Sequence, residues 1–143
     1  MIVPFGISFA FFPDSDKEVN AECLNILLET LIDLNLVYLR SAASRGLSVP
    51  FLYEAGVEYG RTQLWDTIPD LYMKGRGDCK SLTAAFVAQV RFKGGKAVPV
   101  FRFATRARDK GSDYHILVET DGMTKYRGQR LQTMHDPSKI AKY

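Results

Sequence analysis

Behind an apolar start, polar and apolar positions fall into a helical rhythm: Val19, Cys23, Ile26, Leu27, Leu31, Leu34 and Tyr38 recur at three- and four-residue steps. Ser15 followed by Glu18 supplies a capping-box start and Arg45-Gly46 a stop. The spacing therefore predicts one long amphipathic helix, with Cys23 a small hydrophobe on its buried stripe. Ahead of it, Ile2 to Phe12 is bulky and continuously apolar, which predicts a strand acting as an edge or docking arm. From Leu47 to Trp65 the rhythm is lost, because Pro50, Gly56 and Gly60 interrupt Phe51, Tyr53, Tyr59 and Trp65; this reads as a long connection hugging the surface. Thr67 as N-cap, Pro69 in the first turn and Gly75 as stop bracket a short helix. A tight Gly75–Gly77 turn leads to Asp78, an N-cap, and KSLTAAFVAQVRFK is apolar on most sides, as in a helix buried against a sheet and ended by Gly94-Gly95.

The period then switches to that of strands. Ala97 to Phe103 is the first, with Pro99 marking an edge or bulge. Thr105 to Ser112 reads as a charged, mobile loop, Tyr114 to Thr120 as the second strand, and Asp121-Gly122 as a hairpin turn into a return strand from Met123 to Tyr126. The elements predict an α+β fold, with helices packed on a small antiparallel sheet. At 143 residues, 46% hydrophobic and 24% charged, the chain suits a single domain, residues 1–46 forming the arm and long helix and 47–143 the core that carries the chemistry.

Charge and cysteine usage narrow the function classes. A net charge of +3 does not call for a nucleic-acid partner, and Arg102, Arg106, Arg108 and Lys110 read as a solvated basic face. The 2 cysteines stand in unlike settings, which argues against a disulfide framework and for a reducing compartment. The apolar start lacks a basic flank and soon meets Pro13 and Asp14, so no signal peptide is expected. No apolar run reaches the roughly 20 residues of a membrane span, and a cytoplasmic location without membrane contact is the expectation.

Cys79 stands at the predicted first turn of a helix, where free backbone N–H groups and the helix dipole favour thiolate and can bring a cysteine pKa from about 8.5 to roughly 3.5–7.5. Nucleophilic cysteine chemistry also needs an imidazole to move protons and a group to orient it. His115, near the start of a strand, and Asp136, held extended before Pro137, supply one of each. His135 competes as the base, but neighbours in an extended chain point oppositely, so an inward Asp136 turns it away. A zinc site from Cys79, His115, His135 and Asp136 lacks CxxC or HxxxH spacing, so no metal or cofactor is expected.

GRGDCKSLTAAF, YHILV and HDPS together resemble the three blocks of the transglutaminase-like branch of the papain-like cysteine peptidase superfamily, over roughly Val49 to Ile140. Within it, VPFLYEAGVEYG and the DPS ending look most like small members encoded by bacteriophages and prophages. The resemblance implies a papain-like fold and a Cys79–His115–Asp136 triad of nucleophile, general base and acid, and orienting carboxylate. Ile116-Leu117 after the histidine departs from the family's small-then-aromatic pattern and bears on substrate-side detail. The Cys79 N–H is a natural first oxyanion donor; family members often take the second from a side chain upstream of the cysteine, which makes Gln63, Trp65 and Tyr59 the candidates. The expected activity is amide or peptide hydrolysis through a Cys79 thioester, ahead of Gln–Lys crosslinking, which must exclude water. A peptide or a peptidoglycan stem is the expected substrate. The alternative is a virion structural or assembly protein that uses the fold to bind other phage structural proteins or a second copy of itself.

Overall fold

The computed structural model describes residues 17–105, 107–108, 112–122, 125–126, 129–130 and 133–140. The predicted N-terminal strand, the Ser15 cap, most of the Thr105–Ser112 loop and Met123 lie outside them. Helix α1 (Lys17–Ser44) stops at Gly46, whose φ of 69° is the left-handed geometry a glycine stop provides. Its inward face is Leu24, Leu28, Leu31, Ile32, Leu39 and Ala42. The predicted stripe is buried only in part: Leu31 is in the core and Tyr38 packs against it, whereas Ile26 and Leu34 are 60% and 53% exposed and Cys23 is half-buried rather than in the core. The helix is apolar on two sides, and contact with a second helix, α3 (Cys79–Phe92), selects the face that is buried.

The 47–65 connection is not confined to the surface. A 3-10 turn, Leu52–Glu54, drops Leu52 and Tyr53 into the core beside Val57, all without solvent exposure. Strand β1 (Glu58–Tyr59) then pairs in parallel with β2 (Arg76–Gly77), so the predicted Gly75–Gly77 turn is half strand. Between them lies α2 (Ile68–Lys74), ended by Gly75 at φ 70°. Thr67 occupies the N-cap position without a side-chain cap bond, and Asn35 Oδ1 on α1 accepts the Ile68 N–H instead, at 2.8 Å. Gly77 allows close passage, since a Cβ there would stand 2.4 Å from Leu71 Cδ1.

Every residue of α3 from Cys79 to Val90 is buried, because the helix runs between α1 and a three-stranded antiparallel sheet. The sheet order is β3 (Ala97–Thr105), β4 (Ser112–Thr120), β7 (Met134–His135), with Pro99 on the edge strand as its missing N–H requires. The return strand expected after Asp121-Gly122 does not add to β4. Gly122 turns at φ 72°, but Lys125–Tyr126 (β5) pairs with Gln129–Arg130 (β6) in a separate ribbon, and β4 is joined by β7, with Thr120 N–H donating to Thr133 at 2.8 Å. A turn motif fixes a reversal, not which strand finally pairs. Helix α4 (Pro137–Ile140) comes after β7 and contacts α3. On β4, buried Ile116, Val118 and Thr120 share one face, and His115 alternates onto the other. No helix of the described residues is long and apolar enough to cross a membrane.

Candidate active site

Asp78 opens α3 by accepting the Lys80 N–H at 3.1 Å, which sets Cys79 at the first helical residue. The backbone N–H of Ile116, the neighbour of His115 on β4, favours the thiolate form of Cys79. The thiol is nevertheless pushed above its ordinary value. Burial is the main cause and the Asp78 charge adds to it, while the Ile116 N–H, Lys80 and the cysteine's own N–H pull back less strongly. The lowering that a helix start can exert is thus outweighed, because the residue is 8% exposed and adjoins its own anionic cap.

His115 and Asp136 are brought together: His115 Nε2 lies 2.8 Å from Asp136 Oδ2. Asp136 also caps the turn into α4, its Oδ1 accepting from Ser138 N–H at 3.1 Å and from Ser138 Oγ at 2.6 Å. Burial pushes the Asp136 carboxyl up, but the Ser138 hydroxyl, the His115 ring and the Ser138 N–H together outweigh it and hold the group below the usual carboxylate range. Asp136 occupies Nε2 and leaves Nδ1 as the ring nitrogen available for proton exchange. Among the described residues no hydrogen bond joins the Cys79 sulfur to the His115 ring. What the two share is a cleft of about 720 Å³ that both line. Such bonds are often long without a substrate and tighten when one binds.

His135 turns the other way, as its place beside Asp136 requires. Opposite Val118 in the ladder, it stacks on Phe86 with ring centroids 5.0 Å apart and hydrogen-bonds the buried Tyr53 hydroxyl. Burial depresses its pKa against the pull of Asp136, so it is a neutral core histidine rather than a base. Of the oxyanion candidates, Tyr59 and Gln63 line the cleft. Trp65 does not; its ring packs under the Lys80 ammonium, 5.7 Å from the centroid. Among the described residues no group of three or more His, Cys, Asp and Glu side chains is gathered as a metal ion would need.

Two contributors escape the sequence pattern. Ser138 locks the Asp136 carboxylate, and its signal was the Asp-x-Ser spacing of an Asx turn. Lys80 pairs with Asp78 and donates to the Thr62 carbonyl at 3.0 Å, tying the Arg61–Gln63 wall of the cleft to the start of α3; a lysine on a buried helix face gives no such hint beforehand. A scan against protein-family models finds no match, and neither curated proteins nor solved structures yield one.

Proposed function

We propose that the chain is a cysteine-dependent acyl-transfer enzyme of papain-like, transglutaminase-like architecture that hydrolyses an amide or peptide bond. The observation that carries this reading is the Asp136–His115 bond of 2.8 Å at a cleft that also holds Cys79 at a helix start. With the resting thiol protonated, His115 Nδ1 takes the proton as Cys79 Sγ attacks the substrate carbonyl. Asp136 steadies the imidazolium through Nε2. The proton then passes to the leaving amine, the C–N bond breaks and a thioester remains. Water gives a proton to His115 and its oxygen to the acyl carbon, and the returning proton restores the thiol. The test is alkylation by iodoacetamide near pH 7, where a raised and buried thiol reacts fast only if His115 takes its proton: Cys79 outpaces Cys23 in the native chain, and His115→Ala abolishes that lead. Equal rates, or a lead that survives the substitution, overturn the reading.

A second reading, an assembly role in a virion, is favoured by the outer face of α1, where Ile26, Leu34 and Val37 are 60%, 53% and 60% exposed. The occupant this face suits is a second copy in antiparallel register, which sets Ile26 against Val37 and exposed Glu22 near Arg40 of the other copy. A dimer in light scattering that Ile26→Glu with Val37→Glu converts to monomer supports it, and a concentration-independent monomer removes it.

A further inference from the structure

Of the two carboxylates lining the cleft, Asp78 is paired with Lys80 and Asp113 is engaged by a contact of its own. Two cationic side chains on the same lining, Arg61 and Arg102, have no carboxylate partner among the described residues. Their placement is not arbitrary with respect to the reacting groups. Arg102 stands directly opposite His115 in the β3–β4 ladder. Such cross-strand pairs hold their Cβ atoms about 4.5–5.5 Å apart on one face of the sheet. Arg61 lines the same cleft from a segment fastened to α3 by the Lys80 bond to the Thr62 carbonyl. The lining thus combines Cys79 and His115 with these two guanidinium groups and the rings of Tyr59, Phe103 and Tyr114.

We infer that Arg61 and Arg102 form a carboxylate-binding subsite, so that the amide substrate is an acidic peptide bearing a free carboxylate within about one residue of the bond that is cleaved. The chemistry after binding rests on the acyl-transfer reading, whereas binding itself does not. Both side chains are exposed, and a guanidinium matches a carboxylate edge with two parallel N–H···O bonds. The reach of Arg102 from its position beside His115 sets the distance between anion and reacting carbonyl. A neutral peptide leaves both guanidinium groups in water and gains nothing from them, so the subsite discriminates by charge rather than by side-chain shape.

Two alkylating reagents of nearly equal size read the subsite without turnover. Iodoacetate carries a carboxylate and iodoacetamide does not. The iodoacetate-to-iodoacetamide rate ratio at Cys79, divided by the same ratio for N-acetylcysteine amide, a thiol without a carboxylate of its own, is expected to be about ten or more in dilute buffer and to shrink as sodium chloride is raised to about 0.5 M. Arg102→Gln and Arg61→Gln, checked for native circular dichroism, each lower the ratio several-fold. A ratio no higher than that of the free thiol, or one that both variants leave unchanged, overturns the inference. Should Cys79 prove inert to both reagents, calorimetry on Cys79→Ala decides. An acetylated tetrapeptide ending in a free glutamate binds at least several-fold tighter than its fully amidated form, and Arg102→Gln closes the gap; equal binding of the two, or none, defeats the subsite. Failure of the acyl-transfer reading leaves these ratios standing, whereas an active enzyme without anion preference defeats the subsite alone.

Discussion

Asp78→Asn separates the two roles of the residue before Cys79. Asparagine caps a helix about as well as aspartate, so the bond to the Lys80 N–H, 3.1 Å long, can persist. The buried pair with the Lys80 ammonium, however, loses its charge. Removing one partner of a buried ion pair costs about 3–5 kcal/mol. Lys80 keeps the Thr62 carbonyl at 3.0 Å and the face of Trp65, so the expected loss is about 2–4 kcal/mol by urea denaturation. The same substitution acts on Cys79 in the opposite sense. The Asp78 charge is the second cause, after burial, that raises the thiol, while Lys80 lowers it. With the anion gone and the cation retained, the Cys79 pKa falls, the thiolate fraction at a given pH rises, and alkylation at neutral pH accelerates although the fold is weaker. Iodoacetamide rates measured across pH distinguish this from mere loosening. A pKa effect moves the midpoint to lower pH and leaves the alkaline plateau in place, whereas local opening raises the rate at every pH. An unmoved midpoint refutes the electrostatic account of the site.

Other expectations concern the scaffold. Gln89 is 4% exposed, and its Oε1 accepts the N–H of fully buried Leu52 at 2.9 Å while its Nε2 donates to Pro50 and Tyr72. Gln89→Leu orphans the Leu52 donor and is expected to cost about 1–3 kcal/mol in urea denaturation; a loss under about 0.5 kcal/mol speaks against that network. Acid stability depends on two depressed groups with the same sign. Buried His135 takes up its proton less readily folded than unfolded, so stability present above about 6.5 drains as pH falls through its folded value. Asp136 adds a further loss below about 3.9. His135→Phe should remove the first decline and keep the second, and a stability profile flat from pH 7 to about 5 contradicts the assignment.

Local chemistry is legible in the sequence and non-local choice is not. Asp78 as a cap, Gly46 and Gly75 as stops, and the start of α3 at Cys79 all depend on interactions within a few residues, and all appear as read. The opposed directions of His135 and Asp136 come from strand alternation alone. The exact buried face of α1 is not legible, because Ile26 and Leu34 are as apolar as Leu28 and Ile32, and only the position of α3 distinguishes the two sides. The partner of β4 is hidden for the same reason: the Asp121-Gly122 motif is local, whereas β7 arrives from further along the chain and brings His135 against Phe86 and Tyr53. Of the three oxyanion candidates, Trp65 serves as a platform for Lys80 while Tyr59 and Gln63 line the cleft, a division that depends on long-range packing. The helix start favours thiolate at Cys79 and the adjoining Asp78 opposes it; the burial that decides the direction depends on how α3 is enclosed and is not legible locally.

The central claim, a Cys79 thioester formed with help from His115, is tested most directly by intact-protein and peptide mass spectrometry after rapid quenching with p-nitrophenyl acetate. The account predicts a burst of p-nitrophenolate stoichiometric with the chain, an acetyl group on the peptide containing Cys79 and not on that containing Cys23, and loss of both signals in Cys79→Ala. In His115→Ala the burst slows by roughly two orders of magnitude or more. Acetylation spread over surface lysines with no label on Cys79, or a Cys79 burst indifferent to the loss of His115, contradicts it.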